Sequence, residues 1–195
     1  MTSFIRNSAV GSLLSLICLA GSPLLTVADE AIGAAVFNSK GELTLPVDYR
    51  EWVFIGAPLT PNGLNGGKAA FPEFHHVYIN PDAYAIYKRT GEFPEGTVIA
   101  KELVLLRAAD HADGSSNGVS GRGYFAGKFN GMDVMVKDSK RYRSTQGWGF
   151  FNFGHHQPPY ARAASAAPKE SCAACHTANA HEDMVFTDFY PVLSR

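Results

Sequence analysis

Residues 97–106, Thr97-Val98-Ile99-Ala100-Lys101-Glu102-Leu103-Val104-Leu105-Leu106, read as a long β-strand, rich in β-branched and aliphatic side chains and preceded by Gly96. Period-two alternation puts Thr97, Ile99, Lys101, Leu103 and Leu105 on one face. Lys101 therefore interrupts a mostly apolar surface. An unpartnered ammonium there is costly, which favours the neutral, nucleophilic amine. The ordinary alternatives are a stem lying along the sheet with its head in water, or an ion pair with a carboxylate.

Outward from this strand the same signals recur. Residues 52–55 (WVFI), 76–79 (HVYI), 124–129 (YFAGKF), 132–136 (MDVMV) and 148–153 (WGFFNF) are short, β-branched or aromatic, and bounded by Gly, Pro, Asn or Asp. Asn130-Gly131 between two of them is a hairpin-turn signal. Helices are fewer. Asn80-Pro81 supplies an N-cap and first helical position for a helix through Thr90, with Gly91 as its stop. A second helix is expected from about Glu170 to Ala180, and the Gly-, Ser- and Asp-rich stretch 108–122 reads as a solvent loop. The expected fold class is α+β, mainly an antiparallel sheet with a few helices. Long helical heptads are missing, which argues against a four-helix bundle.

Composition sets the outer bounds. With 195 residues, 46% hydrophobic and 18% charged, the chain suits one compact domain rather than a disordered polymer. Its 17 Lys+Arg against 18 Asp+Glu leave no basic excess of the kind a nucleic-acid binder carries. Residues 1–28 read as a secretory signal peptide: Arg6 in the n-region, the apolar run 9–20, and Thr26-Val27-Ala28 as a small-x-small cleavage site. A run of twelve residues is too short to span a bilayer, so the mature domain, residues 29–195, is expected to be exported to the periplasm without a membrane span. Cys18 leaves with the signal peptide.

The remaining cysteines form Cys172-Ala173-Ala174-Cys175-His176, the attachment signature of a c-type haem. On a helix, positions i, i+3 and i+4 share a face. Two thiols can then join the two porphyrin vinyl groups while the imidazole of His176 reaches the iron. A disulfide, a redox Cys-x-x-Cys and a zinc site drawing on His155, His156 or His181 are the competing readings. The first does not use the adjacent His, the second lacks a βαβ context, and the third lacks a second ligand pair at suitable spacing. Met184, eight residues beyond His176, is too close in sequence to pass round to the opposite face of the macrocycle. Met132 and Met135 lie in a strand pattern, where Met is usually core. The iron is accordingly expected to be five-coordinate with one open face, suited to ligand binding or catalysis rather than simple electron relay.

Several stretches taken together resemble the cytochrome P-460 family. These include Tyr49-Arg50-Glu51-Trp52-Val53, Thr90-Gly91-Glu92-Phe93, Lys101-Glu102-Leu103, Gly123-Tyr124-Phe125, Val136-Lys137-Asp138-Ser139, the Cys172–His176 motif and Asp183-Met184-Val185-Phe186-Thr187. The resemblance implies a homodimeric periplasmic haem oxidoreductase that oxidises hydroxylamine to nitrous oxide or other nitrogen oxides. It implies a lysine joined to a meso carbon of the porphyrin, here Lys101, and a distal carboxylate accepting protons, here Asp133 where many members carry glutamate. It also implies electron delivery to a soluble c-type cytochrome. Relatives called cytochromes c′-beta share the fold and motif without the lysine link and bind nitric oxide or carbon monoxide, which is the alternative function. Phe125, Phe129, Phe150, Phe151 and Phe153 are candidates for an apolar wall round the haem. Of His75 and His76, at most one can face that pocket.

Overall fold

The computed structural model describes Met1 and residues 35–194, so the signal-peptide reading lies outside the described residues. The centre is a five-stranded antiparallel sheet in the order β2-β3-β4-β7-β8. Its strands are β2 (Val53–Gly56), β3 (Phe74–Ile79), β4 (Val98–Leu106), β7 (Ala126–Lys137) and β8 (Trp148–Asn152). Two short ribbons accompany it: β1 (Leu43–Thr44) pairs with β9 (Ala163–Ala164), and β5 (Ser116–Gly118) with β6 (Gly121–Gly123). Helix α1 covers Pro81–Thr90 and α2 covers Cys172–Asn179. The class is α+β, with the haem-attachment motif on the helix near the C-terminus. Among the described residues no helix is long and apolar enough to cross a membrane.

Alternation along β4 and β7 divides the interior into two cores. Ile55, Val77, Ile79, Ile99, Met135, Trp148 and Phe150 face one way, against Tyr87, Ala173 of α2 and the tail residues Met184, Val185, Tyr190 and Leu193. Val98, Ala100, Met132, Val134, Val136, Phe151 and Phe153 face the other way, against Leu43, Tyr49 and Ala164. Burial of two apolar faces is the main force holding the sheet between these layers.

Three expectations need correction. Residues 124–129 and 132–136 are not two strands joined by a turn: β7 runs unbroken from Ala126 to Lys137. Leu103 pairs with Gly131 and Val104 with Phe129, so Asn130 is an extra residue bulged out of the ladder. Its amide donates to Glu73 Oε1 at 2.9 Å. A nine-residue β4 offers a ladder long enough to override the local turn preference. Secondly, the 108–122 stretch is not purely loop, since it contains the β5–β6 ribbon. Arg122 braces it, donating to Asp113 Oδ2 and Ser115 Oγ, each at 2.6 Å. Thirdly, Asn80 precedes α1 but does not cap it. Its Oδ1 accepts from the Val98 amide at 2.8 Å, so the side chain ties the helix start to β4 instead. The C-terminal stop is as expected: Gly91 adopts φ 82°, a left-handed conformation that favours glycine.

Candidate functional site

Register places the chemistry in rows across the sheet. Lys101 on β4 lies opposite Asp133 on β7, which lies opposite Asn152 on β8. One step along the same face, Ile99, Met135 and Phe150 form the next row. On the other side of Lys101, Val77 of β3 is its direct partner, and His75 shares that face while His76 points to the opposite one. The sequence restriction to one inward histidine of the pair is what the register shows.

Lys101 is not an unpartnered amine. Its Nζ lies 3.0 Å from Asp133 Oδ2, with the two side chains only 23% and 21% exposed. The same nitrogen sits 4.2 Å from the centroid of the Phe71 ring, a cation–π contact. Asp133 also accepts from Asn152 Nδ2 at 2.7 Å and lies 3.2 Å from His155 Nε2. Burial alone would raise the Asp133 pKa, but the hydrogen bond to His155 and the Lys101 charge outweigh it and hold the carboxyl well below the usual carboxylate range. The carboxylate is therefore ionised at neutral pH. Burial, aided by the Lys101 charge, pushes His75 down to about 4, so its ring is neutral. Its Nε2 is buried and has no hydrogen-bond partner among the described residues.

Facing this row is α2, anchored by Ala173 in the core. Cys172 is half-buried and Cys175 exposed, and the two thiols are not bonded to each other. His176 lies between two phenylalanines, with ring centroids 4.7 Å from Phe150 and 4.7 Å from Phe186. Its Nδ1 is 2.6 Å from the Met184 carbonyl oxygen. That contact orients the imidazole with Nδ1 as donor, leaving Nε2 as the lone-pair atom. An oriented imidazole of this kind is what a metal-ligating histidine needs. Burial lowers the His176 pKa, and Lys101 and Asp133 act on it from across the site in opposite senses.

The carbonyl that orients His176 is held in place by the tail. Asp183 and Met184 take left-handed φ values of 44° and 65°. Asp183 Oδ1 accepts from Trp148 Nε1 at 3.1 Å, its Oδ2 pairs with Lys137, and Tyr87 donates to Glu182 at 2.8 Å. Asp183→Ala leaves the indole N–H of the fully buried Trp148 without a partner. The expected loss is about 1–3 kcal/mol of unfolding free energy, read as a shift of the denaturant midpoint. Asp183→Asn, which keeps an acceptor and tolerates the left-handed backbone, should lose less.

The motif's donors fit a c-type haem: two thiols and an imidazole on one helix, the imidazole oriented and flanked by aromatic rings. The orphaned His75 Nε2 on the facing sheet is further consistent with a group supplied from outside the chain. Among the described residues no three His, Cys, Asp or Glu side chains gather as a direct metal cage would require. Met184 sits beside His176, its sulfur accepting from Thr177 Oγ1 at 3.4 Å, while Met132 points into the opposite core and Met135 packs with Phe150 in the near one.

For the five candidate wall phenylalanines core packing is the competing role, and of these five only Phe150 packs against His176 among the described residues. Phe151 and Phe153 lie in the opposite core, Phe129 stacks under Arg50 at 4.3 Å, and Phe125 lies against Gly118 of the β5–β6 ribbon. The aromatic residues sequence reading missed are Phe71 and Phe186, which sit outside any alternating strand. Asn152 was legible in principle, since strand register alone brings it opposite Asp133. No curated protein matches the chain. A family model described as Cytochrome P460 matches residues 46–187, a span containing β2 through α2, Lys101, Asp133 and the whole attachment motif. The chain belongs to the cytochrome P460 family and is a c-type haem protein of that kind.

Proposed function

We propose that this protein oxidises hydroxylamine at a haem c held by Cys172, Cys175 and His176, with Lys101 joined to the porphyrin and Asp133 as proton acceptor. The observation that carries the reading is the Lys101–Asp133 pair, 3.0 Å apart on the sheet face toward which α2 packs. Family membership supports a haem oxidoreductase in general terms. When held by Cys172, Cys175 and His176, a haem would supply a redox-active iron able to take electrons from the substrate. The chain's residues do the rest. Converting two hydroxylamines to nitrous oxide and water releases four electrons and four protons. A carboxylate beside the substrate takes those protons in turn, and a soluble c-type cytochrome takes the electrons.

Lys101 and Asp133 are chemically coupled. An ammonium at 3.0 Å makes Asp133 a weak base. A lysine nitrogen conjugated to porphyrin no longer carries that full charge, and the carboxylate regains basicity toward substrate. The link therefore prepares the proton acceptor as well as constraining the macrocycle. Export to the periplasm and a homodimeric assembly belong to the same reading.

A second reading rests on the same contact. An ion pair that satisfies Lys101 fully explains the lysine without a crosslink, and the protein then binds nitric oxide or carbon monoxide as a cytochrome c′-beta does. Mass analysis separates the two. After proteolysis of the mature holoprotein and chemical cleavage of both thioethers, the Lys101 peptide should remain attached to haem. Release of free haem overturns the hydroxylamine-oxidising reading and leaves the gas-binding one.

A further inference from the structure

The loop after β8 carries an imidazole with no part in the haem motif. Beyond Asn152 the chain turns at Gly154, φ +120°, where a Cβ would stand 2.3 Å from His156 Nε2. The Gly154 carbonyl accepts from the Met132 amide at 3.0 Å, which fixes the turn to β7. His155 is thereby set above Asp133, its Nε2 3.2 Å from Oδ2 and 3.3 Å from Oδ1. Gly131 makes the room, since a Cβ there would lie 3.0 Å from His155 Cδ2. Phe71 closes the other side edge-on, 5.9 Å between ring centroids. Gly131 thus permits the His155 ring position, while Gly154 makes room for the neighbouring His156 ring.

Exposure runs in one direction along this contact. Asp133 is 21% exposed and His155 45%, and both contacts of the His155 ring with Asp133 are made through Nε2. We propose that His155 is the proton exit of the site, taking each proton from Asp133 at Nε2 and releasing one to water from Nδ1. This deepens the hydroxylamine reading and rests on it. Each passage moves one proton outward and leaves the imidazole neutral once its tautomer resets. The charged groups acting on the ring are Asp133 on β7, Lys101 on β4 and Glu73 before β3. The hydrogen bond to Asp133 raises the His155 pKa, against burial and the Lys101 charge. The ring therefore holds a proton more readily than a free imidazole does, as a group receiving protons from Asp133 must.

The test uses wild-type holoprotein, His155→Gln and His155→Ala. In the reduced, carbon monoxide-bound holoprotein, the C–O stretching band should shift with pH in wild type, with a midpoint above 6.5, and lose that shift in His155→Gln. Hydroxylamine turnover should fall roughly tenfold or more in both variants, and added imidazole should restore His155→Ala. An unchanged band titration together with unchanged turnover in His155→Gln overturns the relay. A wild type that titrates as expected but turns over no hydroxylamine supports the proton path and removes the reaction assigned to it. A turnover loss in His155→Ala that imidazole leaves unrepaired, with the band titration intact, marks a purely structural role and also overturns the relay.

Discussion

Asp133→Asn is expected to slow hydroxylamine oxidation by roughly 10²–10⁴-fold while leaving both thioether links intact, the range lost when a general base is removed. The neighbouring carboxylates do not substitute for it. Glu102 points to the opposite face, bound by Tyr49 and Arg50, and Glu73 accepts from Asn130. The amide keeps the size of the side chain and its contact with Asn152, but cannot hold a proton taken from substrate. The two thioether links depend on Cys172 and Cys175 of α2, which does not carry Asp133. Asp133→Glu, which keeps a carboxylate on a longer side chain, should retain turnover. Undiminished turnover in Asp133→Asn removes the carboxylate from the mechanism.

The same variant has a signature in stability. The Asp133 pKa is depressed in the folded protein, so its stabilising contribution is present above the unfolded value of about 3.9 and is lost as pH falls through the folded value. Wild type should therefore be more stable than Asp133→Asn at neutral pH. The difference should shrink as the solution is acidified below about 4. Denaturant titrations at several pH values check this. A gap that widens on acidification contradicts the assigned ionisation.

How much of this was readable without coordinates depends on the range of each signal. The helix carrying Cys172–His176 was legible because its motif needs one helix turn and no distant partner. β4 was legible because alternation carries its faces, and the same alternation separates Lys101 from Glu102. Pairing was not legible. Asn130-Gly131 has the local chemistry of a turn, yet neither residue takes a positive φ, because β4 holds the segment extended. The ordinary alternative for Lys101, an ion pair, could be stated from sequence, but not that Asp133 is its partner 32 positions along the chain. His155, Phe71 and Asp183 act through turns and tail segments, where no periodicity reports orientation. The lesson is specific: motifs confined to one element reveal their chemistry, and sites assembled across strands reveal their ingredients only.

Glu102→Ala is expected to be the most destabilising single change considered, about 2–5 kcal/mol of unfolding free energy. Glu102 follows Lys101 directly but is fully buried on the far side of the sheet. Its Oε1 accepts from Tyr49 Oη at 2.7 Å, Arg50 Nη2 at 2.6 Å and Tyr160 Oη at 3.2 Å, and its Oε2 accepts from Arg50 Nε at 3.1 Å. One carboxylate thus fastens the segments before β2 and before β9 to the central strand. Removing it strands the hydroxyl of the buried Tyr49 and weakens that of Tyr160, each loss being worth about 1–3 kcal/mol when the group stays desolvated. Arg50 adds less, because its half-exposed side chain recovers water. The cost comes from orphaned partners rather than from the pair itself. Replacing the acceptor and its buried donors together, as Glu102→Met with Tyr49→Phe and Tyr160→Phe, should therefore recover much of the loss. Denaturant midpoints of the single and triple variants decide it. If Glu102→Ala loses less than about 1 kcal/mol, or if the triple variant is no better, Glu102 is not the fastening of this face.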